Sequence, residues 1–496
     1  MSCVRLNDKR FVRWRGRVAE LALVAVVALG GTVQSATRAA ELLVGAATID
    51  ITPERPVALS GQRRVRIAKE AETPITATVL ALESRDGENS LEQALVVSCD
   101  LAAIRPGILD KVREKVKTRV PDFDLQKLFL SATHTHTAPV MLEGRYTLPE
   151  TGIMQPGEYA EWMTGRVAEA VAEAWQKRAP GKVAWGQDHA VVGRNRRAVY
   201  ADDTAKMYGS TNTPNFRGIE GYEDHGVDVL LFWDERDRLI ATAINVVCPA
   251  QEVESRSAIN ADYWHPVRQS LRAKYGEHLA VLGWIGAAGD QSPHLMFDKG
   301  AEELMCTRRG LTRLEEIARR IVRAWEDVYE VAKKDIHPDA VLRHQVQEID
   351  LPYREVTEAE ASTARKQAAT YADDPAQKWN YRWHQAVVQR YERQQAGTPD
   401  IHKMELHALR LGDVAIATNE FELFTDYGIQ IKSRSPAVQT FVIQLTGSAG
   451  YLPTQRAVCG GGYSAVIQSS RVGPKGGQLL VDRTLEAVRA LWPERQ

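Results

Sequence analysis

A chain of 496 residues with 63 basic and 64 acidic side chains and 44% hydrophobic residues is globular, long enough for one large catalytic core or two smaller ones. The near balance of charge excludes the basic surface that a phosphate backbone demands, so nucleic acid is set aside as a partner. The five cysteines, Cys3, Cys99, Cys248, Cys306 and Cys459, include no CxxC pair, which excludes a zinc knuckle and a thioredoxin-like motif.

The N-terminus reads differently from the rest. Arg5, Lys9, Arg10, Arg13, Arg15 and Arg17 precede an apolar run from Leu21 to Leu29, and small residues follow through Ala40. That layout predicts a secretory signal over residues 1–40, with a mature, exported chain (periplasmic or secreted) starting near Glu41. The apolar run is too short to span a bilayer, so no transmembrane segment is expected in the mature chain.

Beyond it, Leu42 to Ile51, Ala77 to Leu82 and Ala94 to Cys99 have the length and apolar content of strands. A helix is predicted over Ile104 to Val116, a short buried strand over Leu128 to Ala132, and an alanine-rich amphipathic helix over Glu158 to Arg178. Val227 to Trp233 and Leu239 to Val247 form a predicted hairpin, followed by a helix over His265 to Tyr275 and a buried strand over Leu279 to Ile285. A long helix is predicted over Leu311 to Val331, and the polar stretch 356–395, with Asp373, Asp374 and Pro375 at its centre, reads as a helical hairpin. Strands return at Leu406 to Leu411, Val414 to Thr418 and Thr440 to Leu445, before a last helix over Leu480 to Trp492. Alternating strands and helices predict an α/β fold, and Cys99 and Cys248, each closing an apolar run, read as buried thiols.

Chemistry concentrates where apolar strands run directly into polar or glycine-rich loops, the place where α/β folds gather their sites. The first such loop is Ser131-Ala132-Thr133-His134-Thr135-His136-Thr137-Ala138-Pro139, with two imidazoles at i and i+2. The second, Gly286 to His294, carries Asp290 and Ser292 on small residues that allow close backbone approach. The third puts Glu420 and Glu422 after the strand ending at Thr418, and the fourth holds Tyr451 and the run Gly460-Gly461-Gly462-Tyr463.

These four segments, in this order, resemble the neutral/alkaline non-lysosomal ceramidase family. The resemblance begins at Val44-Gly45-Ala46-Ala47-Thr48-Ile49-Asp50-Ile51-Thr52-Pro53, runs to Val472-Gly473-Pro474, and is carried most specifically by SATHTHTAP together with GD-x-SP at Gly289 to Pro293. It implies one large mixed-sheet catalytic domain over 41–496 with helices packed around it; in a departure from the family, which usually carries a further immunoglobulin-like domain, no C-terminal immunoglobulin-like domain is expected here, since the sequence stops at Gln496 soon after the last predicted helix. The implied activity is hydrolysis of an amide bond in a ceramide-like or other N-acyl substrate, with a small molecule or lipid as partner. The resemblance also implies a bound Zn2+ held by His134, Glu422 and Tyr451, a nucleophile at Ser292, a proton shuttle at His136, and Arg196 and Tyr463 holding the substrate. One family ligand is missing: the turn after Ile244-Asn245-Val246-Val247 reads Cys248-Pro249-Ala250-Gln251, without histidine. His265 or Asp262 is the candidate replacement. Two alternatives stand beside this reading: the same fold acting on a glycan through Asp290 paired with Glu422 or Asp262, and a binding protein that has lost metal and catalysis.

Overall fold

The computed structural model describes residues 40–492, so the expected signal segment lies outside the described residues. An eight-stranded sheet runs in the order Ala280–Ile285, Leu239–Val246, Gly226–Asp234, Ala179–His189, Glu41–Asp50, Thr76–Asp86, Asn89–Cys99, Leu128–Ala132. Its interior pairs are antiparallel and both edge pairs are parallel, each edge strand being reached through a crossover helix, Ile108–Lys117 at one end and Trp264–Tyr275 at the other. A second, four-stranded sheet orders Leu342–Pro352, Ile401–Leu411, Val414–Thr418 and Gln439–Ile443, and its last pair is again parallel, joined by the helix Thr425–Arg434.

The sheets pack face to face, which explains why so many strands are apolar on both sides. In Thr76–Asp86, Ala77, Val79 and Ala81 face helices Ile108–Lys117 and Pro156–Gln176, while Leu80 and Leu82 join Leu409, Val414, Ile416 and Phe441 between the sheets. Val227, Val229, Leu231 and Trp233 likewise face the helices Trp264–Tyr275 and Arg313–Ala332. The second sheet is covered on its outer face by Pro474–Ala490 and Thr425–Arg434. The result is helix, sheet, sheet, helix in cross-section, the mixed-sheet α/β architecture anticipated above. Cys99 and Cys248 are buried free thiols on the helix-facing side.

Several elements depart from their expected form. The first helix begins at Ile108 rather than Ile104, because Pro106 and Gly107, the latter at φ 78°, hold the chain out of helix until then. The long helix after residue 311 begins at Arg313 behind a Thr312 capping box, and a separate helix, Lys299–Arg309, precedes it. Ala179–His189 is a central strand that Pro180, Gly181 and Gly186 concealed from pattern reading. The glycines are there for close packing: a methyl on Gly181 would meet Val44 at 2.7 Å, and one on Gly186 would meet Val328 at 2.8 Å. Between the strands of the second sheet, Glu358–Tyr371 and Lys378–Gln395 form two helices packed on each other.

Candidate active site

The three parallel strand pairs of the two large sheets deliver their C-terminal ends to one place. Thr133 continues from Leu128–Ala132, Gly286 from Ala280–Ile285 and Asn419 from Val414–Thr418. Backbone bonds tie these ends together: Ala132 N donates to Leu445 O, Thr133 N to Cys99 O and Ala250 N to Thr133 O. A cavity of about 760 Å3 opens there, lined by His134, His136, Arg196, Glu422, Tyr451 and Tyr463 among others. His134 (φ 64°), Tyr208 (φ 54°) and Leu445 (φ 61°) also line it, so three of the left-handed residues other than glycine converge on this wall. Backbone held in that region is costly for side chains of this size and collects at functional sites.

His134 is buried, and its Nδ1–H donates to the Ala102 carbonyl, which fixes the tautomer and aims an Nε2 lone pair inward. That Nε2 has no hydrogen-bond partner, although Glu422 Oε2 lies 3.4 Å away. Glu422 and Tyr451 arrive as opposite residues of two short parallel strands, Phe421–Leu423 and Gly450–Leu452. Burial opposes ionisation of Glu422, but the His134 imidazole, the Arg196 guanidinium and the Tyr451 hydroxyl bring its pKa down to about 2. Burial and then the Glu422 charge push the Tyr451 phenol well above its usual value.

Arg196 is the polar hub. Its Nη2 donates to Gly289 O at 3.0 Å and to the Tyr451 hydroxyl at 3.3 Å, and sits 3.9 Å from Glu422 Oε2. Its Nη1 donates to the Tyr208 hydroxyl at 3.0 Å and to Gln251 Oε1 at 3.3 Å. Burial disfavours its charge, yet Tyr208, Tyr451 and Glu422 outweigh that and keep it protonated. His136 donates from Nδ1 to Glu254 Oε2 at 2.8 Å and accepts at Nε2 from the Gln251 amide at 2.8 Å. Burial lowers its pKa to about 4, against the opposing pull of Glu254, so the ring is neutral at neutral pH. Tyr463 stands edge-on to Tyr451, with ring centroids 5.8 Å apart.

Two expected residues are not brought to the cavity. Ser292 is fully buried behind Tyr208, whose hydroxyl meets its Oγ at 3.0 Å, and that Oγ also accepts from His294 N. Gln291–Ser292 pairs with Arg194–Asn195, and in this orientation Ser292 Oγ is engaged with Tyr208 and does not line the cavity. His265 begins the Trp264–Tyr275 helix with Arg268, Asp100 and Arg272 as its charged neighbours, away from His134 and Glu422. Asp262 is committed as well, accepting the backbone N–H groups of Val253 and Tyr263. Asp290 accepts from Thr425 N, Thr425 Oγ1 and Asn195 Nδ2 and so staples three segments of the site, which leaves neither carboxylate of the proposed glycan pairings free beside Glu422. Tyr208, Gln251 and Glu254 are site residues that pattern reading missed. The sequence signal for the last two was the run Gln251-Glu252-Val253-Glu254, in the turn that follows the buried strand Leu239–Val246.

Among the described residues no group of three or more His, Cys, Asp or Glu is arranged to hold a metal ion. The spacing of His134 and Glu422 nevertheless suits two donors to one ion, with Tyr451 opposite Glu422 across the short strand pair. Two donors each about 2.1 Å from a tetrahedral ion stand about 3.4 Å apart, and His134 Nε2 and Glu422 Oε2 show that separation with the imidazole lone pair otherwise unused.

No family model and no curated protein sequence matches the chain. Solved structures do. A crystal structure of neutral ceramidase from Pseudomonas aeruginosa aligns with a TM-score of 0.66 at 17% identity, over 92% of this chain and 76% of that one. A ceramidase complexed with C2 aligns with a TM-score of 0.64 at 15% identity, over the same shares of the two chains. With its mixed eight-stranded sheet and surrounding helices, the chain therefore has the fold of the neutral ceramidase structures.

Proposed function

We propose that the chain is a hydrolase that cleaves the amide bond of a ceramide-like or other N-acyl substrate, with His134, Glu422 and Tyr451 holding Zn2+, and that it acts after export. The observation that carries this reading is the unpartnered, buried His134 Nε2 facing Glu422, with Arg196, Tyr451 and the His136–Glu254 pair around the same cavity. The likeness to ceramidase structures supports the choice of an N-acyl substrate.

A zinc ion held by His134, Glu422 and Tyr451 would supply Lewis acidity toward the carbonyl and toward a nearby water. The residues do the rest. Tyr463 and the charged Arg196 stabilise negative charge as it develops on the carbonyl oxygen. His136 is the base: with Nδ1–H directed to Glu254, its Nε2 takes the proton of the attacking water once that water displaces the Gln251 amide. The carbonyl C–O bond forms, the C–N bond breaks, and the same proton passes from His136 to the leaving amine. Glu254 is kept ionised by two imidazoles, His136 and His294, against the opposing effect of burial, and steadies the imidazolium between those steps. Ser292 takes no covalent part, since its hydroxyl is enclosed.

Elemental analysis of the purified chain, combined with turnover of a fluorogenic ceramide, simpler N-acyl amides and a panel of glycosides, tests this. The expected result is zinc in the wild type, amide turnover, and a loss of about 100-fold or more in His134→Ala and Glu422→Gln. His265→Ala should retain both metal and turnover, because that ring lies elsewhere. Turnover of glycosides alone, or His134→Ala with full activity, refutes the reading; bound ligand without turnover of any substrate favours the binding-protein alternative.

A further inference from the structure

The same cavity has a charge its proposed chemistry does not use. Its wall carries Arg63, Arg64, Arg105, Arg145, Arg196 and Arg471 against two carboxylates, Glu254 and Glu422. Both carboxylates are engaged, Glu254 with His136 and His294 and Glu422 with the His134–Arg196 group. Apart from Arg196, none of these arginines makes an ion pair with a carboxylate among the described residues. Arg105 reaches only Ser60 Oγ, at 3.5 Å, Arg145 only the adjacent Tyr146 hydroxyl, at 3.4 Å, and Arg471 the carbonyls of Ser448 and Ala449. In a protein whose formal net charge is −1, this is a local concentration of positive charge in a concave place, where field lines focus.

Two of these groups are prepared for a ligand. Arg63 lies over three aromatic rings, 4.6 Å from Trp379, 4.9 Å from Trp383 and 4.6 Å from Tyr463. Three rings around the guanidinium carbon hold this charge in place at the cavity wall, where the planar N–H groups of an arginine suit an oxyanion. Trp379 and Trp383 come from the Lys378–Gln395 helix, so this helix builds the platform that orients the charge. Arg105 and Arg145 are half-buried neighbours of like sign, and burial together with Arg145 pulls Arg105 down to about 10 against the weaker opposing influence of Tyr146 and Glu422.

We propose that the natural substrate of this cavity carries an anionic group, a carboxylate, sulfate or phosphate, seated against Arg63, Arg105 and Arg145 while the bond to be cleaved lies at His134 and Glu422. The anion site stands on the arginine geometry; the position of the scissile bond rests on the hydrolase reading above. A neutral acyl-sphingoid leaves these guanidinia without a counter-charge. An anion relieves their repulsion and forms charge-assisted, forked hydrogen bonds.

Two measurements test it. The first is equilibrium binding of sulfate, phosphate and an N-acetylated amino acid, each against chloride at matched ionic strength, to the wild type, His134→Ala, Arg105→Gln and Arg145→Gln. Binding to the wild type and to His134→Ala is expected, weakened about tenfold in either arginine variant, and the three anions separate the possible headgroups. The second compares kcat/KM for matched N-acyl amides that differ only in carrying or lacking the anion, with a preference for the charged member of about tenfold or more. Should the arginine variants fail to fold, wild-type binding and the matched-substrate ratio decide alone. Anion binding without turnover of any amide sustains the site and removes the hydrolase reading. Turnover of neutral amides with no anion preference and no binding above chloride overturns the proposal and leaves the hydrolase reading intact.

Discussion

Replacing Gly289 by alanine adds one methyl outside the cavity and should disable it. A Cβ at this position would stand 2.2 Å from the carbonyl oxygen of Glu422, 2.7 Å from its carbonyl carbon and 3.0 Å from that of Leu423. All three contacts are backbone, so no side chain can rotate away, and the Phe421–Leu423 strand must retreat by at least about 1 Å to restore van der Waals contact. That strand carries Glu422, and Gly289 itself binds it through N–H to Leu423 O at 2.7 Å while its own carbonyl holds Arg196. A misplacement of about 1 Å at reacting groups costs about 100-fold in rate, and the overpacking should lower stability by about 1–3 kcal/mol. The assay is kcat/KM on the best N-acyl amide, with thermal melting to verify that the variant is folded. Gly300→Ala is the control: nothing lies within 4 Å of its added Cβ, in the first turn of the Lys299–Arg309 helix, and it should be neutral or slightly stabilising. A folded Gly289→Ala protein with wild-type kcat/KM would show that the contact between these segments does not position Glu422.

Arg268→Met should destabilise the protein by about 3–5 kcal/mol in urea unfolding, because it leaves buried Asp100 unpaired after losing contacts at 2.6 and 3.0 Å; adding Asp100→Asn should recover part of the loss. Strict additivity of the two substitutions would mean that they do not interact. Glu252 has its pKa raised to about 7, first by burial and then by Asp262 and Glu254 against the pull of His294 and Arg313. A carboxyl whose folded pKa lies above its unfolded value contributes stability fully below the unfolded value and loses it as pH rises through the folded one, so the wild type should lose stability between about pH 4.5 and 7. Glu252→Gln should remove that slope and gain at most about 3 kcal/mol relative to wild type above pH 7, part of which is offset by losing the attraction to His294 at 3.8 Å. Parallel stability curves for the two proteins across that window would refute the assignment.

Much of this site was legible because strands buried on both faces leave long apolar runs, and whatever polar residue follows such a run stands at a strand end. The loops that carry His134, Glu422 and Tyr451 were readable in that way, one segment at a time, while the choice of these residues and their convergence came from the resemblance to the ceramidase family. Strand pattern alone could not supply the convergence, because Glu422 and Tyr451 are opposite each other through the parallel pairing of two three-residue strands that carry no pattern of their own. Ser292 and His265 were misplaced for a related reason. Sequence proximity to a site does not fix side-chain direction, and the bridge to Arg194 turns Ser292 behind Tyr208 while the helix start turns His265 toward Asp100 and Arg268. The cationic wall escaped notice because arginines scattered over loops read as solvated surface until the fold gathers them.

Under the hydrolase reading proposed above, the convergence of parallel strand ends from two different sheets also governs when activity appears. Arg196 and the Tyr451 hydroxyl it binds are 255 residues apart in sequence, and Tyr463 follows later still. Contacts of that range form late in folding, after the loops they close have been ordered at an entropic cost. A nascent or truncated chain ending before Tyr463 lacks part of the cavity wall however well its first sheet has folded. Turnover is therefore a stringent reporter of sheet docking: any substitution between the sheets that loosens their contact, at Leu409 or Phe441 for example, should extinguish activity before secondary structure is lost.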